Sequence, residues 1–227
     1  MNLQGSTVLV IGANGVFGRL TAEKLMAMGA NVIGTARSNE SAANLPAGLA
    51  QALLLDLESA ESIATLTGYL STSGVKLDAI INTAGVVGFG PAATTSASDA
   101  QKLMQVNHLG PSAVISALLP VLAQSEREPF VLSITGVVAE KIFTGMPAYT
   151  ASKTAHSAWL KALSPEARRL GIRVIDARPG HTETGLASRA VFGVAPAFPQ
   201  GMTPQHVIDK VFEAIASGAT EVASTDF

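Results

Sequence analysis

The chain has 227 residues, with 15 Lys and Arg against 17 Asp and Glu; the formal charge of -2 leaves no basic footprint for nucleic acid or an anionic membrane surface. It contains no cysteine, which excludes disulfides, thiolate nucleophiles and cysteine-ligated zinc together. Apolar residues make up 48% of it and aromatics only 5%, so an aliphatic core is expected, of the kind that buried parallel strands build.

In chain order, short apolar runs alternate with segments of helical length. The run 7–11 leads through Gly12-Ala-Asn-Gly15-Val-Phe-Gly18 into a helix expected over 19–28. Further strands are expected at 31–35, 52–55, 79–82, 130–135 and 173–177, with helices at 60–70 and 99–123 and a short last strand at 221–224. Segment 185–201 is apolar but punctuated by Gly and Pro; it reads either as a lid beside a binding crevice or as a structural surface loop. Thr203-Pro204 reads as an N-cap with proline in the first turn, followed by Val207, Ile208, Val211, Phe212 and Ile215 on one stripe and Gly218 as terminator. Strands that alternate with helices supply the crossovers parallel neighbours need. The expected fold is therefore α/β, a doubly wound and mostly parallel seven-stranded sheet with helices on both faces, in one domain spanning 1–227. The N-terminus lacks a basic region before its first apolar run, and no apolar stretch is long enough for a bilayer, so a cytoplasmic address is expected.

Four places carry chemistry. A glycine turn between a first strand and its helix is where a dinucleotide pyrophosphate would rest on backbone amides, although such glycines also occur for steric reasons alone. At the second strand end, where a carboxylate would hold the ribose of NAD, the chain has Gly34-Thr-Ala-Arg37-Ser. Arg37 can pair with a 2′-phosphate, so NADP is expected over NAD, with a merely solvated arginine as the plain alternative. Asp56 either accepts from an adenine amino group or caps the next helix. Tyr149 and Lys153 stand four apart in Ala148-Tyr-Thr-Ala-Ser-Lys153, on one helix face, where the lysine would lower the pKa of the phenol. In isolation that pattern is more often an exposed helical turn with two unrelated polar side chains. The histidines show no metal-ligand spacing, and no metal is expected.

Taken together, these segments resemble the short-chain dehydrogenase/reductase family, in order, from about residue 7 to residue 184. Asn82-Thr-Ala-Gly85 is similar to its Asn-Asn-Ala-Gly turn, and Val106-Asn107-His-Leu-Gly110 to its fourth helix. Tyr149-Thr-Ala-Ser-Lys153 is similar to its Tyr-x-x-x-Lys site and Pro179-Gly180-His-Thr-Glu-Thr184 to its Pro-Gly-x-x-x-Thr. The resemblance implies a Rossmann-type fold with three αβα layers. It implies that Gly12, Asn14, Gly15, Phe17, Gly18, Arg37, Asp56, Leu57, Asn82, Ala84 and Gly85 bind the cofactor, with Tyr149, Lys153, Pro179, Gly180, Thr182 and Thr184 at its nicotinamide end. Tyr149 would be the general acid or base, Lys153 would lower its pKa and hold the ribose, and Asn107 would stabilise a helix bend and anchor a water. A homodimer or homotetramer through the helices carrying Asn107 and Tyr149 is also implied.

Three departures accompany the resemblance. Gly136 occupies the position of the family's carbonyl-orienting serine, thirteen before the tyrosine; Thr135 is expected to donate instead, with Ser133 as the second candidate. The glycine spacing is that of the family's longer members, with Val16 at the usual middle glycine. Pro165 is expected to kink or break the catalytic helix near Ser164. The expected activity is interconversion of a small apolar carbonyl compound and its alcohol with NADP, within walls of Val87, Phe89, Ile142, Phe143, Met146 and Phe192. His181 is expected to serve structure or the lid. The alternative is an NADP(H)-binding regulator without turnover, which Gly136 favours and the trio Asn107, Tyr149 and Lys153 disfavours.

Overall fold

In the computed structural model, which describes residues 2–227, all seven expected strands form one sheet; Met1, the first residue of the expected domain, lies outside the described residues. The strands are β1 (Thr7–Ile11), β2 (Asn31–Ala36), β3 (Gln51–Leu54), β4 (Ala79–Asn82), β5 (Phe130–Ile134), β6 (Arg173–Ala177) and β7 (Glu221–Val222). Their order is β3-β2-β1-β4-β5-β6-β7 and every neighbouring pair is parallel, so the sheet is wholly rather than mostly parallel. The chain order reverses between β1 and β4. That switch point opens a crevice at the carboxyl ends of the strands, and the segments after β1 and β4 border it.

Alternation along the strands divides the core into two layers. Val8, Val10, Phe130, Leu132 and Ile175 pack beneath helices α1 (Val16–Ala27) and α7 (Pro204–Ser217), the latter through Ile208, Val211, Phe212 and Ile215. Between β2 and β3 runs a single turn, α2 (Asn39–Ala42). Leu9, Ile11, Ile80, Val131 and Val174 pack on the opposite side. There the cover is α3 (Ala60–Thr72), α5 (Gly110–Leu122) and α6 (Pro147–Arg169). Thr203 caps α7 by accepting from His206 N–H, and Gly218 ends it at φ 81°, as the sequence signals require.

The helix expected over 99–123 is interrupted. It comprises α4 (Ala97–Met104), five residues of wider π-helical turn (Gln105–Leu109) and then α5, with Asn107 buried inside the wide turn. Such turns insert one residue into the helical ladder and recur at functional positions. By contrast, the break expected at Pro165 does not occur: α6 runs on to Arg169. Pro165 and Lys161 are both exposed, so the Lys161 carbonyl that loses its helical donor sits on the solvent side of the helix.

Candidate active site

The glycine turn is fixed by close approach. A Cβ at Gly18 would lie 2.1 Å from Gly12 O and 2.7 Å from Ala13 Cα, so only glycine lets α1 start against the end of β1. Gly15 is different: its nearest neighbour in that test is Gly12 O at 3.4 Å, an ordinary contact. Gly15 is also the N-cap of α1, and no side chain caps the helix. Space before Gly15 and uncapped amides at a helix start suit a pyrophosphate. Asn14 and Phe17 belong to the same turn. Thr83, which replaces the family's second Asn, donates to Ile11 O at 2.8 Å, and Asn82 Oδ1 accepts from Ala84 N–H at 3.2 Å, which holds the β4 turn against the end of β1.

At the adenine end, Arg37 follows β2 directly, is exposed, and makes no hydrogen bond or ion pair among the described residues. Thr35 ties that strand end to the glycine turn, accepting from Ala13 N–H at 2.9 Å on its carbonyl and from Gly12 N–H at 3.1 Å on its hydroxyl. Asp56 does not cap α3. That role belongs to Ser59, which accepts from Ser62 N–H, while Asp56 Oδ1 accepts from Glu58 N–H at 3.0 Å. Asp56 and the buried Leu57 thus shape the turn at the β3 end.

Tyr149 and Lys153 share the first turns of α6. Tyr149 packs against the buried apolar cluster of Val87, Phe89 and Met146, which Val138, Leu186, Ala187, Ala190 and Ala195 also border. Burial pushes its phenol up to about 12, so the lowered tyrosine expected from the sequence is not found. The ammonium nearby does not offset the loss of water. Lys153 is 6% exposed and donates to Ile134 O at 3.1 Å. Burial lowers its amine to about 8, and the charge of Asp176 holds it from falling further. The phenol is therefore a neutral donor at neutral pH, and the amine is an ammonium with two protons beyond the one given to Ile134. Gly85 is pressed against this group: a Cβ there would come 3.1 Å from Lys153 Nζ. Asn107 donates from Nδ2 to Val86 O and to Ser152 Oγ, each at 2.9 Å, and accepts at Oδ1 from Val86 N–H at 2.9 Å. Its carboxamide locks the wide turn to the β4 loop and to the residue before Lys153.

The corner at 135–136 departs from expectation. Thr135 is 1% exposed, and its hydroxyl donates to Asp176 Oδ1 at 2.5 Å. The proton expected to reach a carbonyl is spent inside the protein, because Thr135 lies on the strand face turned to α6. Ser133, two residues earlier on that face, meets His156 Nε2 at 3.1 Å and is equally buried. Gly136 itself sits at φ 100° with room for a side chain, its nearest prospective neighbour being Pro179 O at 3.7 Å. What excludes serine there is backbone conformation rather than space.

Segment 185–201 is docked over the crevice. Val191 N–H donates to Val87 O at 2.8 Å and Phe89 N–H to Phe192 O at 3.1 Å. The Phe192 ring occupies the place a Gly88 side chain would take, 2.2 Å from its would-be Cβ. His181 stacks on Phe198, with centroids 4.6 Å apart, and Phe198 in turn meets Phe89 at 6.0 Å. Pro179 O accepts from Val137 N–H at 2.8 Å, Thr182 bridges to Met202, and Thr184 Oγ1 accepts from Leu186 N–H, so the turn beginning at Gly180 anchors both ends of the docked segment. Two expected wall residues lie elsewhere: Ile142 is 91% exposed and Phe143 40%. They border an outer apolar groove of about 990 Å³ with Thr150, Ala151, Thr154 and Ala155, which neither Tyr149 nor Lys153 lines.

Buried polar groups that composition did not reveal lie behind the site. Asp176, Ser157, Arg178 and His156 are all under 5% exposed. An aspartate inside the apolar run 173–177 was the available signal, since a charge on a central strand must find partners. No helix among the described residues is long and apolar enough to cross a membrane.

A wholly parallel sheet with a switch point and an uncapped glycine turn beside it define a doubly wound α/β fold of the dinucleotide-binding kind. A sequence model of the short chain dehydrogenase family matches residues 6–191. The chain belongs to that family. It is 27% identical to dehydrogenase/reductase SDR family member 7B of Xenopus tropicalis, with 97% of this chain and 77% of that protein covered. It is 30% identical to 1-hydroxy-2-glutathionyl-2-methyl-3-butene dehydrogenase of Rhodococcus sp. (strain AD45), covering 80% of each. Among solved structures, a short chain dehydrogenase from Burkholderia cenocepacia J2315 in complex with NADP superposes with a TM-score of 0.85 at 22% identity, covering 98% of this chain and 89% of that one.

Proposed function

We propose that the chain is an NADP-dependent oxidoreductase that interconverts a small, mostly apolar carbonyl compound and its alcohol. The observation that carries this reading is the Tyr149 phenol, neutral and set among apolar side chains, with the Lys153 ammonium on the same helix face. The glycine turn from Gly12 to Gly18 would hold the pyrophosphate, Arg37 the 2′-phosphate, Asp56 and Leu57 the adenine, and the Asn82–Gly85 turn with Pro179–Thr184 the nicotinamide side. Bound NADPH supplies the hydride. Tyr149 gives its proton to the carbonyl oxygen as negative charge develops there, and Lys153 holds ribose hydroxyls while its charge steadies the phenolate left behind. In the alcohol direction Tyr149 takes the proton back. The docked segment 185–201 excludes water from this exchange. The Rhodococcus relative is named as a dehydrogenase, and the Burkholderia protein was solved with NADP, which supports the cofactor assignment. The small exposed residues of α5 and α6, among them Ala113, Ala117, Ala151, Thr154 and Ala158, suit close packing of helices in a homodimer or homotetramer.

The test is NADPH consumption with a panel of ketones and aldehydes by wild type and Tyr149→Phe. The variant is expected to lose at least about 10²-fold in turnover while keeping its NADPH affinity. Equal turnover in both would exclude Tyr149 as the acid. A second reading, an NADP(H)-binding sensor, rests on Gly136 and on the commitment of Thr135 to Asp176. NADPH binding by wild type with no carbonyl turned over would favour it.

A further inference from the structure

Asp176 makes three hydrogen bonds. Its Oδ1 accepts from the Thr135 hydroxyl at 2.5 Å; its Oδ2 accepts from the Ser157 hydroxyl at 2.6 Å and from Arg178 Nη1 at 2.8 Å. Arg178 continues outward, donating to Glu140 through Nε and to Glu221 at 2.8 Å through Nη2. A carboxylate at 4% exposure persists on a central strand because these donors replace the water it lost.

The partners place Asp176 behind one particular contact. Thr135 follows Ile134, whose carbonyl receives the Lys153 ammonium, and Thr135 N–H is itself fixed to Ala177 O at 2.9 Å. Ser157 stands one helical turn after Lys153. One carboxylate thus grips the strand end that carries the acceptor and the helix that carries the donor. We propose that Asp176 is a positioning residue for Lys153, clamping both sides of the Lys153–Ile134 hydrogen bond and supplying the buried countercharge of the ammonium. Thr135 acts through Asp176 instead of on the substrate. The role rests on the oxidoreductase reading for its catalytic consequence but not for its geometry.

The elements packed around Lys153 carry the titratable and charged groups Tyr149 and His156 on α6, His108 in the wide turn, and Asp176 with Arg178 on and after β6; of these Asp176 acts on the ammonium and His156 feels its charge, while Glu140 and Glu221 are bound by Arg178. Tyr149 and His156 are held neutral by burial, and burial also lowers His108, which leaves Asp176 as the negative charge that faces Lys153.

The test follows the Lys153 amine directly, by NMR of the full chain with ¹³C at the lysine Cε, its signal identified by its loss in Lys153→Arg. In Asp176→Asn the titration midpoint is expected to fall by about one pH unit, and in Ser157→Ala by a smaller amount in the same direction. An unchanged midpoint in Asp176→Asn overturns the clamp; should that variant not fold, an unchanged midpoint in Ser157→Ala does so. Turnover of NADPH in the same variants separates the two ideas. About tenfold lower kcat with the carbonyl KM within about twofold, and an alkaline limb moved in step with the midpoint, supports both. A moved midpoint in a protein that turns over no carbonyl sustains the clamp and removes the oxidoreductase reading.

Discussion

The two halves of the crevice, which we propose hold the cofactor and the substrate, are built by different means. In the first, the closest approach is between chain neighbours: β1, the glycine turn and α1 touch within seven residues, and Gly18 is required because its own preceding turn lies in the way, with Thr35 and Thr83 adding hydrogen bonds from the neighbouring strand ends. In the second, distant segments do the work, 87–89 with 191–192, and 135 with 176. Both halves depart from the family pattern, the first at Val16 and Thr83 and the second at Gly136.

The sharpest way to break this comparison is in the glycine turn. Gly18→Ala would push a methyl into the Gly12 carbonyl and the Ala13 Cα, backbone atoms that cannot rotate aside. The expected loss is about 3 kcal/mol, a fall of roughly 10 °C in the melting midpoint for a domain of this size. Gly15→Ala meets only an ordinary contact and should melt within a degree or two of wild type while losing NADPH affinity. Equal melting of the two variants would mean that local packing does not hold this half.

The same division explains what was legible in the sequence. Strand positions followed from apolar runs, and the cofactor turn from a motif whose parts are contiguous. Asn107 and the tyrosine-lysine pair were legible for the same reason. The direction of the Thr135 side chain was not, because β5 alternation says which face it takes but not that Asp176 waits there. The raised phenol was missed because apolar neighbours of Tyr149 come from the β4 loop, remote in sequence, and it is burial that raises the phenol. A break at Pro165 does not occur because the carbonyl that loses its donor lies on the solvent side of α6.

Next in size is a pH effect at the buried His156, which meets Ser133 and stacks on Trp159. Burial, then the Lys153 charge, lowers His156 from 6.5 to about 3, so the folded protein keeps it neutral while the unfolded chain takes up a proton. The unfolded state binds more protons below about 6.5, so this contribution is fully present above that value and is lost as pH falls towards 3. Between pH 7 and 5 the expected loss is about 2 kcal/mol, measured by urea unfolding at each pH. His156→Gln should flatten the curve by that amount. An identical slope in the variant would place the acid sensitivity elsewhere.

The substrate half is tested by Gly88→Ala. Its methyl takes the position of the Phe192 ring edge, which can swing away, so the fold should survive while the docked segment loosens. Roughly 1.5 kcal/mol of docking should be lost, seen as about tenfold faster exchange of the Val191 amide and a raised carbonyl KM. NADPH affinity should stay within about twofold, since nothing in the glycine turn moves. A variant that lost cofactor binding and kept its KM would reverse the assignment of the two halves.

The smallest effect expected is at Arg37, where the cofactor half faces solvent. The guanidinium is exposed and has no partner among the described residues, so water already satisfies it, and pairing with a 2′-phosphate gains only the difference between a solvated and a charge-assisted contact. About 1 kcal/mol is expected, so Arg37→Ala should weaken NADPH roughly fivefold and leave NADH within about twofold, read by cofactor fluorescence at fixed salt. The contact should weaken further as salt rises, and that dependence should vanish in the variant. Tighter binding of NADH than NADPH by wild type would sink the NADP assignment whatever the variant does, and would leave the loop after β2 as a solvated turn.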